Sequence, residues 1–397
     1  MSVSVAAWLG RFASGNRLAG AVAPIFDAVS GRPFSAAALQ RVQIYQTRSR
    51  IGFSQTYPFL RHAPDMRWKQ GVEIRCADIE RLLNGDLAPA VADVVLLQPW
   101  FDVNRAALVR ALEHVRSRNP DARIILLDGC AHSDLRLARH VDPFVDCYVK
   151  KSVFRDRGQY LHATRGDTNL TDYLGAQYGY SEAEVDWQTP RSVLPKLIVG
   201  PGFVTAPGLF DGFLRAAPDF IGPRPIDLHA RLATQGSGWY AAMRKDAATR
   251  ASELPGHTVT GTGVSRRVFL RELLQSKMVF SPFGYGELCW RDVEGFLTGA
   301  VVIKQDMSHL DTRPDLFRPW ETYVPVAWDF SDLEANFARL YHDDKLRHRI
   351  ANEAWRTVRT YLELHLQNDL EAILFSGSER ADAVQPGGLA PEPLEAA

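Results

Sequence analysis

The chain has 397 residues, which at roughly 150 residues per domain points to two or three domains with sizeable cores. Its 46 Lys and Arg residues are matched by 46 Asp and Glu, so the formal net charge is zero. A chain so balanced has no general pull on nucleic acid or acidic lipid, and any anion it binds must be held by a local site.

At the amino terminus, Trp8, Leu9, Phe12, Leu18, Val22, Ile25 and Phe26 line one side of a predicted helix that also carries Arg11 and Arg17. A helix packed on its own domain is the expectation; a peripheral membrane contact is the competing one. The opening residues lack a basic n-region, and no run approaches the ~20 apolar residues of a transmembrane helix, so neither a secretory signal nor a span is expected. Cys76, Cys130, Cys147 and Cys289 form no Cys-x-x-Cys pair, which fits a reducing cytoplasm, at most the inner face of the membrane.

Short apolar runs then alternate with helical patterns. Arg41 to Tyr45, Val72 to Arg75, Ala92 to Gln98, Arg123 to Asp128 and Val145 to Lys150 read as strands, with an amphipathic helix from Arg105 to Arg118. Three loops after strands hold chemistry-bearing residues. The first contains Arg48, Arg50, Gln55 and Tyr57, and the second, QPWFDVN, contains Trp100 and Asp102. The third, DGCAHSD, places Asp128, His132 and Asp134 within seven residues. An Asp at a strand end is commonly a turn or helix cap, so each carboxylate has a structural reading as well.

A Pro- and Gly-rich stretch from Thr189 to Pro225 marks the connection, dividing the chain into 1–205, 206–375 and a disordered tail, 376–397, poor in large apolar residues. The second series runs through strands Ile226 to Ala230, His257 to Thr260, Met278 to Ser281, Ala300 to Lys304 and Tyr323 to Ala327. Helices at Trp239 to Leu254, Val268 to Gln275 and Glu287 to Thr298 separate them. The alternation predicts an α/β chain of two Rossmann-like domains with a central cleft.

The richest stretch is Lys277 to Asp306, a βαβ unit with a loop containing Pro282, Gly284 and Gly286. A Gly loop at a strand's carboxyl end, leading into a helix, lies where such sheets bind ligands and where free N–H groups favour phosphate. Glu287, Arg291 and Glu294 fall at i, i+4 and i+7. Arg291 pairing with a diphosphate and Glu294 with ribose hydroxyls is one reading; a solvated face with a Glu287–Arg291 pair is the other. Neither G-x-G-x-x-G nor a Gly-Lys-Ser/Thr loop is present, which argues against hydride transfer and ATP hydrolysis.

The S-P-x-G loop, Arg291, Glu294 and the run Thr298-Gly-Ala-Val-Val-Ile303 resemble the donor half of GT-B glycosyltransferases, particularly exostosin-like enzymes. The continuation, VVIKQDMSHL and RPWETYVPVAWDFSDLEANF, resembles the capsule-associated and protein O-glucosyltransferase group. The resemblance covers roughly Arg266 to Tyr361 and is moderately specific.

The resemblance implies that Arg291 contacts donor phosphates, Glu294 the ribose, and that Gly284 and Gly286 admit the diphosphate close to the backbone. Ser265, Arg266 and Arg267 would offer further phosphate contacts, or simply form a solvated basic helix start. Lys304 would meet phosphate or sugar, or form a structural ion pair; His309 would polarise the leaving phosphate, or make a local hydrogen bond. An inverting transfer needs a general base from the first domain, for which Asp128, His132, Asp134 and Asp102 are the candidates. No Asp-x-Asp triplet occurs, so leaving-group charge is expected to fall on basic side chains and helix dipoles, with no metal or cofactor.

The expected activity is therefore sugar transfer from a nucleoside diphosphate sugar to a hydroxyl of a glycan, lipid-linked or protein acceptor, in surface glycan assembly. Two alternatives stand beside it: a non-catalytic nucleotide-sugar or glycan-binding module, and a nucleotide-sugar epimerase. The silent module would keep Arg291 and Glu294 but hold Asp128, Asp134 and Asp102 away from the cleft.

Overall fold

The computed structural model describes residues 25, 28, 29 and 32–376 except 167 and 237. Most of the expected amino-terminal helix and the tail beyond Ser376 lie outside the described residues.

The first sheet is built from β1 (Gln40–Gln46), β2 (Val72–Asp78), β3 (Val94–Gln98), β4 (Arg123–Asp128), β5 (Cys147–Lys150) and, after the short β6 (Ser152–Phe154), β7 (Leu197–Val199). Its order is β2-β1-β3-β4-β5-β7, all parallel. β3, VVLLQ, is buried at every position, because a parallel sheet covered on both faces selects an apolar run instead of alternation. Helix α1 (Arg50–Gln70) joins β1 to β2, and α2 (Arg105–Arg118) joins β3 to β4. Helix α1 was not anticipated: it carries Pro58 and Pro64 and starts at Ser49, whose hydroxyl accepts from the Gly52 N–H at 2.9 Å.

The second sheet takes β8 (Ile226–His229), β9 (Thr258–Val259), β10 (Ser276–Phe280), β11 (Val301–Gln305) and, after β12 (Leu310–Thr312), β13 (Val324–Val326). The order is β9-β8-β10-β11-β13, again parallel. Helices α3 (Gly238–Glu253), α4 (Arg266–Leu274) and α5 (Trp290–Thr298) are its crossovers. The chain is thus two Rossmann-like α/β units, with the passage from one sheet to the other between Val199 and Ile226.

A sequential division at 205/206 does not hold to the end of the chain. Helix α6 (Leu366–Phe375) returns to the first unit, where the Ile373 carbonyl accepts from Arg123 Nε at 3.1 Å and Glu371 accepts from Gln70 Nε2 at 2.9 Å. A second tie is the antiparallel pair β6–β12, which matches Phe154 with Leu310 and Ser152 with Thr312. Arg155 and Arg157 each reach Asp311 at 3.2 Å beside it. These ties hold the two sheets across a cleft. No described helix is long and apolar enough to cross a membrane.

Candidate anion-binding cleft

A cavity of about 750 Å³ lies between the two units. Ile51, Trp100, Gly129 and Lys151, which follow β1, β3, β4 and β5, line one wall, and the loop after β10 with the start of α5 lines the other. It therefore sits at the carboxyl ends of the strands, where open α/β sheets bind ligands.

The loop after β10 is held from beneath. Asp292, in the first turn of α5, accepts from the Cys289 N–H at 2.8 Å, from the Ser281 hydroxyl and, as an ion pair at 3.2 Å, faces Lys304 Nζ. Lys304 also donates to the Ser281 carbonyl at 3.0 Å. Lys304 is completely buried and does not line the cavity, so the expected donor contact gives way to the structural ion pair.

Helix α5 begins at Trp290, with Cys289 as its cap, so Glu287 belongs to the loop and not to a helical stripe with Arg291. Glu287 is fully buried and is not a cavity residue. Its carboxylate accepts from Ser133 Oγ of the first unit at 3.0 Å and faces His309 Nε2 at 3.6 Å. Burial pushes this carboxyl up, but His309 and Ser133 outweigh it and hold the group below its usual range. Glu287 and His309 thus act between the units, below the cavity, instead of on a donor. Gly286 has a similar origin. A Cβ there would fall far inside contact distance of the Ala131 carbonyl oxygen, so the glycine permits the close approach of the two units. At Gly284 a Cβ would meet only ordinary contacts.

Above this framework stand two guanidinium groups with no carboxylate partner among the described residues. Arg244, on α3, is 5% exposed and donates only to the carbonyls of Ala233 (3.0 Å), Pro282 (3.1 Å) and Phe283 (3.3 Å). Arg291 donates to the Arg231 carbonyl, and its buried Nε has no hydrogen-bond partner. Burial, and then the neighbouring Arg244 charge, bring Arg291 down to about 10, so its guanidinium remains charged at neutral pH. Two like charges facing one cavity, neither in ion-pair contact with a carboxylate among the described residues, are the electrostatic mark of an anion site.

Glu294, 3% exposed, is also on the cavity wall, which excludes the solvated-face reading of α5. Arg266 NH1 meets its Oε1 at 2.7 Å, leaving Oε2 with no partner among the described residues. Arg266 therefore reaches the site through Glu294, whereas Arg267 is exposed and does not line it.

On the first unit, the candidate carboxylates separate from the cavity. Asp128 is buried beneath it, accepting from Tyr148 (2.6 Å), Lys150 (3.0 Å) and the Cys130 N–H (2.8 Å). Burial pushes Asp128 up, but the Lys150 charge and these donors hold it below its ordinary value. Engaged by three donors, it is not among the residues lining the cavity. Asp134 is clamped in bidentate fashion by Arg136, and Asp102 is exposed in a turn outside the cavity. Of the four, only His132 lines the cavity.

Sequence reasoning missed Arg244, Tyr240 and Lys151. Arg244 follows Met243 on an apolar stripe, Trp239, Met243, Ala247 and Ala251, and a charge at the edge of such a stripe was the available signal. Aromatic side chains complete the walls: Tyr240 stacks on Tyr285 at 4.3 Å, and Phe203 of the first unit stacks on Trp290 of the second at 4.9 Å.

No family model matches the chain, and no curated protein matches it by sequence. Solved structures resemble it distantly. TarM from S. aureus is 9% identical, with 70% of this chain and 54% of that one covered, at a TM-score of 0.41. The pneumococcal O-GlcNAc transferase GtfA, solved with UDP and GlcNAc, is 11% identical over 70% and 56%, at 0.38. A putative UDP-N-acetylglucosamine 2-epimerase from Listeria monocytogenes is 10% identical over 85% and 96%, at 0.43. The chain spans little more than half the length of the first two. Likenesses this distant assign no activity; the fold rests on the two parallel sheets themselves.

Proposed function

We propose that the chain is a metal-independent, inverting glycosyltransferase of the GT-B type, using a nucleoside diphosphate sugar and a hydroxyl of a glycan, lipid-linked or protein acceptor. The observation that carries this reading is the pair Arg244 and Arg291, one buried and one half-buried cation without an ion-paired carboxylate among the described residues, in a cavity of ligand size. The resemblance of Arg266 to Tyr361 to exostosin-like and protein O-glucosyltransferase sequences supports the same location. Cytoplasmic glycan assembly, at most at the inner membrane face, belongs to this proposal.

In this reading the diphosphate lies against Arg244 and Arg291, and the free Oε2 of Glu294 accepts from ribose hydroxyls. His132, across the cleft, takes the proton of the acceptor hydroxyl as its oxygen attacks the anomeric carbon. The bond from that carbon to the diphosphate oxygen breaks, and the released charge develops where the two guanidinium groups already stand. The aromatic walls exclude water that would hydrolyse the donor.

One observation favours a second reading. Asp128, Asp134 and Asp102 all stand away from the cavity, the arrangement expected of a silent nucleotide-sugar-binding module. His132 decides between them. Nucleotide sugars are screened by thermal stabilisation, and the best is incubated with saccharide acceptors, with and without chelator. Transfer requires equal release of nucleoside diphosphate and an inverted product. Changing His132→Gln should slow turnover by roughly 10²- to 10⁴-fold without altering donor affinity. Donor binding without turnover on any acceptor identifies the silent module, and isomerised donor without acceptor identifies an epimerase.

A further inference from the structure

Lys151 follows β5 on the first-unit wall of the cavity, and its side chain has no place in the donor site just described. The residue is 4% exposed and lines the cavity. Among the described residues no carboxylate stands within ion-pair distance; the contact made by Nζ is with the face of the Phe203 ring, 4.8 Å from its centroid. Its neighbour Lys150 differs, being fully paired with Asp128. A buried ammonium left unpaired is costly, and one that opens into a cavity points to a counterion that arrives with a ligand.

The arginine pair and Lys151 belong to opposite walls of the cavity. Among the charged side chains, Lys150, Asp128 and Glu287 bear most on Lys151, whereas Arg244, Asp292 and Glu294 bear most on Arg291. Arg244 and Arg291 belong to the second unit, and Lys151 stands beside His132 and Gly129 on the first, the side from which the acceptor is proposed to come. Negative groups near Lys151 are already engaged: Asp128 by Lys150 and Tyr148, and Glu287 by Ser133 with His309 opposite.

We propose that Lys151 is the centre of a second oxyanion subsite, so that the acceptor carries a phosphate or carboxylate group as well as the hydroxyl that receives the sugar. This inference rests on the assignment of Arg244 and Arg291 to the donor diphosphate. Burial and then the Lys150 charge bring the Lys151 ammonium down to about 8, so an arriving anion restores its proton. Anion binding near pH 8 therefore takes up protons.

The test uses the full chain saturated with whichever of UDP, GDP or ADP it binds, titrated calorimetrically with inorganic phosphate and separately with acetate. Each titration is run at pH 8 in two buffers of different ionisation enthalpy. The expected result is that at least one anion still binds, with proton uptake, and that Lys151→Met weakens it by roughly tenfold or more while leaving nucleotide affinity unchanged. Lys151→Arg should retain anion binding. If the Met variant does not fold, Lys151→Gln, which keeps a polar head, serves in its place. Absence of both anions from the nucleotide-saturated protein, or anion binding that survives loss of Lys151, overturns the proposal. So does a Lys151 variant that loses the nucleotide instead, since Lys151 then belongs to the donor site. If no nucleoside diphosphate binds, the donor assignment fails. The phosphate titration on Arg291→Met protein then still reads the Lys151 subsite by itself.

Discussion

Arg291→Met separates a ligand-binding arginine from a structural one, because the two roles predict opposite effects on the empty protein. In the fold, Arg291 donates to one backbone carbonyl, has an unpartnered Nε and faces Arg244. A guanidinium brought down from its ordinary range to about 10 is one whose charged form is disfavoured by folding, over all pH values below that point. The penalty is at most roughly 3 kcal/mol, less because the guanidinium opens onto the cavity. Removing the charge relieves it, while the lost hydrogen bond costs about 1 kcal/mol. The empty variant should therefore be as stable as the parent, or up to about 2 kcal/mol more stable. Nucleoside diphosphate binding should behave oppositely. Loss of one partner of a buried charge pair costs roughly 2–5 kcal/mol, or about 30- to 3,000-fold in affinity. Calorimetric titration with UDP, GDP and ADP, beside thermal unfolding without ligand, reads both quantities. A variant that is destabilised when empty yet binds nucleotide normally would refute the reasoning.

Two other substitutions test the framework. Gly286→Ala sets a methyl group against the Ala131 carbonyl and should destabilise by roughly 1–3 kcal/mol while widening the cleft in solution scattering; an unchanged unfolding temperature contradicts this contact. Asp128→Asn leaves Lys150 buried without its counterion and should cost about 3–5 kcal/mol at neutral pH. Because the Asp128 carboxyl is held below its ordinary 3.8, its contribution is complete above that value and is lost as pH falls through the lower, folded one. The Asn variant should accordingly lose stability less steeply than the parent in acid, and a parallel decline would exclude Asp128 from the acid response.

The sheet strands other than β7 were legible because both faces of a parallel sheet are covered, which leaves runs such as VVLLQ and RIILLD in the sequence; β7, three residues long, was hidden inside the Pro- and Gly-rich stretch from Thr189 to Pro225. Helix α2 was legible to the residue, since Asn104 caps it and its apolar positions are regular. Helix α1 was hidden by its two prolines, and α5 was read three residues too early because the extended loop before it also suits a helical period. At the site, Arg291 and Glu294 were legible from their place after a Gly loop. Lys304, Glu287 and His309 were named from the same stretch, but residues near a ligand loop in sequence can also serve to hold it, and the choice depends on which way each side chain faces. Arg244 and Lys151 come from elements whose patterns carry no motif; only tertiary packing brings them to one cavity. Asp128 shows the same limit. Its strand-end position suits a base or an ion pair, and Lys150, opposite it in the β4–β5 ladder, determines which.

The most direct measurement is a crystal structure with the stabilising nucleoside diphosphate sugar bound. The diphosphate should lie against Arg244 and Arg291, with ribose hydroxyls at Glu294 Oε2 and the anomeric carbon turned toward His132. A nucleotide bound outside this cavity, or one whose diphosphate touches neither arginine, would contradict the account.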